Sequence, residues 1–297
     1  MSISSRRLAL KQIALGAAVL GVSPETLAAT RPGPTDSTPP LKNRIHASAC
    51  YWVYQSIPLD DFCQDLVRMG LKSIDLLKPD QWETAKKHGL YCSMCYGGDL
   101  GLYDGWNEPK NHDVLVAHYS ENIPLMASYG FGNLICFSGR RRGMDDETGL
   151  QNCVTGLNRI LPLAAAHGVT VVMELLNSKI DHKDYMCDHT AWGVELCKRL
   201  GSDHFKLLYD IYHMQIMEGD VIRTIRDNQA FIAHYHTGGV PGRHEIDDTQ
   251  ELYYPAIMRA ILDTGFQGRV AQEFVPTATD NPGKLKALKR CVKICDV

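Results

Sequence analysis

The sequence predicts a (β/α)8 barrel, an α/β TIM barrel built as a single domain, and three observations carry that expectation. From residue 45 onward, eight short apolar runs of strand length alternate with eight segments of helical pattern. Six of the helical segments end at a glycine that leads straight into the next run: Gly70, Gly89, Gly130, Gly168, Gly201 and Gly265. Helix-to-strand turns are short, whereas strand-to-helix connections are long, at 97–111, 139–145, 177–187 and 238–249. Long loops on that face are where a barrel keeps its chemistry. An open doubly wound sheet would show the same alternation, but no GxGxxG or phosphate loop follows the first strand.

The elements follow in order. Residues 45–52 read as the first strand. In 58–69, Leu59, Phe62, Leu66 and Met69 recur at helical spacing, and Pro58 suits a first helical position. Strand 73–77 precedes helix 79–88, strand 91–96 precedes helix 112–129, and strand 133–138 precedes helix 145–167. The remaining strands are apolar on both faces, as buried parallel strands are. They are 169–176 (VTVVMELL), 205–212 (FKLLYDIY), 232–237 (IAHYHT) and 269–275 (RVAQEFV), followed by helices 188–200, 220–228, 250–264 and 282–295.

The barrel occupies 45–297. Residues 1–29 read as an export signal: Arg6-Arg7 with Lys11, an apolar stretch from 13 to 22, and Ala28-Ala29 as a cleavage point. The stretch is too short for a permanent membrane anchor, and the paired arginines resemble a twin-arginine signal, which predicts a periplasmic protein. Residues 30–44, rich in Pro, Thr and Gly, read as a linker. The whole chain of 297 residues has a net charge of −3; the segment 1–29 carries +2, leaving −5 on the rest. With no basic stripe, nucleic acid and anionic membranes are excluded as partners. A small-molecule substrate is expected, and the sequence leaves room for a homo-oligomer. All ten cysteines lie beyond residue 49. Most fall within strand or helix patterns, where a thiol is a small buried hydrophobe, so reduced cysteines are expected. Cys92 and Cys95 share one strand and make a poor disulfide or zinc pair.

Four residues stand at the ends of successive late strands: Glu174, Asp210, His236 and Glu273. The C-terminal strand ends of a barrel converge on one mouth. Three carboxylates and one imidazole meeting there predict a site for a hard divalent cation, Mg²⁺ or Mn²⁺ rather than a thiolate-loving ion. Glu174 and Glu273 could flank a small ligand over the barrel axis, one removing a proton from an enediol precursor and one returning it at the neighbouring carbon. Asp210 and His236 would be ligands only, with the second nitrogen of His236 oriented by an unidentified partner. His213, three residues after Asp210, is a candidate donor to substrate oxygen. Arg243, in a Pro-Gly-Arg loop, is a candidate partner for a substrate carboxylate, with pairing to Glu245 as the structural alternative. Arg140, Arg141 and Arg142 follow strand four, Lys179 and His182 follow Glu174, and Trp52, Tyr96 and Trp106 are candidate walls.

The stretches YDIYHMQIMEGD, PGRHE and AQEFVPT, with the segment from ELLNSKIDHKDY onward, resemble the hydroxypyruvate isomerase family of xylose-isomerase-like barrels over most of 45–280. The resemblance implies the catalytic pair Glu174 and Glu273, and a cation held by Glu174, Asp210, His236 and Glu273 as in related epimerases. His236 stands where hydroxypyruvate isomerases commonly carry Gln. Ile180 stands where ketose 3-epimerases carry a further Glu. The implied activity interconverts hydroxypyruvate and 2-hydroxy-3-oxopropanoate through an enediol. A periplasmic keto-sugar epimerase or lyase is the alternative enzyme. A non-catalytic sugar-binding barrel would not need two glutamates, and an endonuclease of this fold would need more His and Asp ligands and a basic surface.

Overall fold

The eight parallel strands form a sheet in the order β1-β8-β7-β6-β5-β4-β3-β2. They are β1 (Ala47–Ala49), β2 (Ser73–Leu77), β3 (Tyr91–Cys95), β4 (Asn133–Cys136), β5 (Thr170–Glu174), β6 (Phe205–Asp210), β7 (Ile232–Thr237) and β8 (Arg269–Gln272). A parallel bridge from Cys50 to Asp75 brings β1 against β2 and nearly closes the ring. The protein is therefore a (β/α)8 TIM barrel. This computed structural model describes residues 40–297; the expected export signal, and all but the end of the expected linker, lie outside the described residues. Among the described residues, no helix is long and apolar enough to cross a membrane.

The helices are α1 (Leu59–Arg68), α2 (Trp82–Lys87), α3 (His112–Ser128), α4 (Asp146–Leu157), α5 (Leu161–His167), α6 (Thr190–Leu200), α7 (Ile211–Met217), α8 (Val221–Asn228), α9 (Tyr254–Asp263) and α10 (Asn281–Cys295). α1 buries Phe62 and Leu66 against the barrel, as its spacing predicts. The six glycines expected to end helices all take left-handed φ, from +57° to +89°. All ten cysteines are buried and free.

Three expectations are corrected, each for a local reason. The helix expected over 145–167 is two helices. Pro162 lacks an N–H, and its ring excludes the carbonyl four residues back, so the chain turns between α4 and α5. The strand expected to reach residue 212 stops at Asp210, whose Oδ1 accepts the backbone N–H groups of Tyr212 (2.8 Å) and His213 (3.2 Å) and so caps α7. The first strand is short because Tyr51–Tyr54 form a 3₁₀ turn that carries Trp52 over the mouth.

The loop after β3 is stitched to the end of β4: Trp106 N–H donates to the Phe137 carbonyl (3.2 Å) and Asn107 N–H to that of Ser138 (2.9 Å). Gly105 permits this approach. A Cβ there would sit 2.3 Å from the Ser138 carbonyl carbon, and backbone cannot yield as a side chain can. Gly105→Ala is expected to cost about 1–3 kcal/mol, the range for overpacking. Thermal denaturation followed by circular dichroism checks it; an unchanged Tm would mean that this crossing is not tight.

Candidate active site

Each functional side chain is set by where its strand stops. Glu174 is the last residue of β5, Asp210 the last of β6, His236 the penultimate of β7, and Glu273 follows β8 directly. One ligand atom from each of the four lies within 4.8 Å of the others. All four residues are buried, with Asp210 and His236 at 0% exposure.

His236 is the centre of the cluster. Its Nδ1 lies 2.9 Å from Glu273 Oε2 and 3.4 Å from Glu174 Oε1. Glu273 is held on every side: Trp52 Nε1 donates to Oε1 (2.8 Å), and Arg243 Nη2 donates to Oε2 (2.6 Å). Arg243 Nη2 is also 3.6 Å from Asp210 Oδ2. Its guanidinium lies between the rings of Trp52 and Tyr212, 5.5 Å from each centroid. The alternative partner, Glu245, instead accepts from the backbone and hydroxyl of Thr277.

The electrostatics divide the acids. Burial pushes Asp210 up to about 8 and raises Glu174 above the usual carboxylate range. Burial would raise Glu273 too, but His236 and Arg243 hold it well below. Burial also opposes the His236 cation, yet the carboxylates of Glu273 and Asp75 lift it well above the usual imidazole range. Glu174 and Glu273 are thus shifted in opposite directions, one toward the acid and one toward the carboxylate.

The residues fit a cation. Glu174 Oε1 and Asp210 Oδ2 are buried without hydrogen-bond partners, and both belong to the converging cluster. An oxygen-rich set with one imidazole is the donor chemistry of a hard divalent ion.

Glu174, Glu273 and Arg243 open on a cavity of about 400 Å³, whose wall includes Trp52, Tyr96 and Phe137. His182 lines it as well, with neither ring nitrogen partnered. His213 lies deeper. It is fully buried, its Nδ1 accepts from Asn177 Nδ2 (2.6 Å), and its Nε2 is 3.5 Å from Asp210 Oδ2. Burial holds it well below the usual range, so it is neutral with its proton on Nε2.

Other candidates go elsewhere. Arg140 stacks on Tyr103, Arg141 pairs with Asp146 and Asp188, and Arg142 pairs with Asp104 and Glu108. Lys179 caps α7 through the carbonyls of Ile216 and Met217, and Trp106 is core. Ile180 is 64% exposed and no substitute for an acid.

Sequence reading passed over Asp75, His234 and Asn177. A charge inside the apolar strand SIDLL was a signal for Asp75, because buried strands exclude unpaired charge. His234 shares a face with His236 two residues on.

A model of the xylose isomerase-like TIM barrel matches residues 67–293. The chain belongs to that family. A candidate hydroxypyruvate isomerase of Drosophila melanogaster is 34% identical over 224 residues, 72% of this chain and 84% of that one. This match places the chain with the hydroxypyruvate isomerases within the family. A 2-oxo-tetronate isomerase of Cupriavidus necator is 38% identical, but the chain spans only 45% of its length. The crystal structure of a family 2 AP endonuclease from Brucella melitensis superposes with TM-score 0.69 at 23% identity, covering 81% of this chain and 96% of the other. At that identity the likeness is one of fold alone.

Proposed function

We propose that this barrel is an intramolecular isomerase acting on a short α-hydroxy keto acid, with the interconversion of hydroxypyruvate and 2-hydroxy-3-oxopropanoate as the reaction. The observation that carries this reading is the pair of carboxylates, Glu174 and Glu273, from strands three places apart in the ring, facing one cavity with opposed proton affinities.

The reaction moves two protons and no electrons to an outside acceptor. One glutamate takes the proton from C3, beside the carbonyl. The hydroxyl proton passes from O3 to O2, and the other glutamate delivers a proton to C2. C2 becomes the hydroxyl carbon and C3 the aldehyde. Glu174, Asp210, His236 and Glu273 would hold a divalent ion, Mg²⁺ or Mn²⁺, which would supply Lewis-acid polarisation of the substrate oxygens. Trp52 and Arg243 fix Glu273, and Trp52, Tyr96 and Phe137 give the cavity an apolar wall. The export-signal reading places the enzyme in the periplasm. A keto-sugar epimerase is the second reading, favoured by a cavity of about 400 Å³, roomy for a three-carbon acid.

Arg243 separates the two readings. It lies at the cavity, and its Nε has no partner. If it receives a substrate carboxylate, Arg243→Ala will lower kcat/KM for keto acids by at least ~10-fold, about 1.4 kcal/mol, and less for a neutral ketose. Steady-state kinetics on both substrate types checks this. Equal losses would mean that Arg243 serves only to hold Glu273.

A further inference from the structure

We propose that Asp75 is a positioning residue for the candidate metal centre, holding the Nε2–H of His236 so that Nδ1 faces Glu174, Asp210 and Glu273. The inference rests on the metal reading above and goes beyond it by assigning the group beneath the site.

Asp75 lies on β2, across the barrel from β7, and is fully buried. The register between β2 and β3 shifts on both sides of it, and Leu76 takes φ +59°, so an irregular strand aims this side chain. Its carboxylate is saturated from three other strands. Ser48 Oγ donates to Oδ1 at 2.7 Å, and Ser93 Oγ donates to the same oxygen. His234 Nε2 lies 2.6 Å from Oδ2, and His236 Nε2 lies 3.1 Å from it. Burying an ionised carboxylate is costly unless it is hydrogen-bonded, and four donors meet that cost.

The consequence for His236 follows from its valence. A neutral imidazole has one N–H and one lone pair, and only the lone-pair nitrogen can bind a cation. An ionised carboxylate only accepts, so Asp75 fixes the proton on Nε2. Glu273 Oε2 faces Nδ1 in the same way, so without a cation the ring is protonated on both nitrogens; a cation would take the place of the Nδ1 proton, while Asp75 keeps the one on Nε2. Cys50 Sγ also lies 3.7 Å from Nε2, and burial keeps it a thiol. A purely structural network would serve His234 equally. His234 is just as buried and closer to Asp75, but it stands apart from the acid cluster. It is therefore the internal control.

Mn²⁺ binding to the full chain, titrated calorimetrically, tests the assignment. Asp75→Asn is expected to weaken binding ~10–100-fold, the usual loss on removing a ligand's orienting partner. His234→Gln, which can still donate to Asp75, is expected to weaken it far less. Wild-type affinity in D75N, or equal losses in both variants, would overturn the proposal. Nitrogen NMR of histidine-labelled wild type loaded with Zn²⁺ needs no variant to fold. A metal-shifted Nδ1 and a protonated Nε2 on His236 are expected, and the reverse assignment would overturn it. Absence of any metal uptake by the wild type would sink the metal reading itself.

Discussion

Glu273→Gln will reduce turnover by about 10²–10⁴-fold, the contribution of a positioned acid–base group, while leaving the barrel folded. The amide matches the carboxylate in size and its oxygen can keep the Trp52 hydrogen bond; its NH2 then faces Arg243, which costs some stability at the mouth but leaves the barrel core intact. What it removes is the anion. Arg243 and His236 both face Oε2, and they hold Glu273 ionised. Glu174→Gln should cost a comparable amount, because the proton must be both taken and returned. The two losses should not add: once one carboxylate is gone, the other has no complete pathway to serve. Kinetics of both single variants and the double, with circular dichroism as the folding control, decide this. An enzyme with Gln at 273 that retains a tenth of wild-type kcat would sink the two-carboxylate scheme.

Stripping the protein of divalent cations with a chelator will abolish turnover, and Mn²⁺ or Mg²⁺ will restore it. The expectation comes from the unpartnered oxygens of Glu174 and Asp210, buried among acids with too few protein donors. Cation binding should also stabilise the fold, by about 2.7 kcal/mol at a concentration 100 times Kd. The melting temperature should therefore rise as Mn²⁺ is added to the stripped protein. Chelator-treated enzyme at full activity would mean that Arg243 and His236 supply the only positive charge the chemistry needs.

The barrel was legible because its signals repeat. Each helix-ending glycine and each buried strand reads locally, and the ring order follows from the alternation. The mouth was legible because Glu174, Asp210, His236 and Glu273 carry charge at the ends of apolar runs. Element boundaries were less so. Nothing in FKLLYDIYH says that Asp210 will turn back to cap a helix, a choice that its side-chain oxygen makes in three dimensions. Asp75 was missed because its partners, Ser48, Ser93, His234 and His236, are up to 161 residues away in sequence. Arg243 was placed at the mouth, but its pairing with Glu273 rather than Glu245 is set by a loop conformation, with φ +61° at Arg243, that composition does not encode.

If the site moves a proton between neighbouring carbons of a keto compound, solvent hydrogen must be able to enter the product. Mass spectrometry of product formed in D₂O by the Mn²⁺-loaded enzyme, across a panel of short keto acids and ketoses, tests it most directly. Turnover of at least one hydroxy keto acid is expected, with deuterium entering at the carbon that receives the proton. Failure to convert, or to exchange hydrogen with, any member of that panel would contradict it.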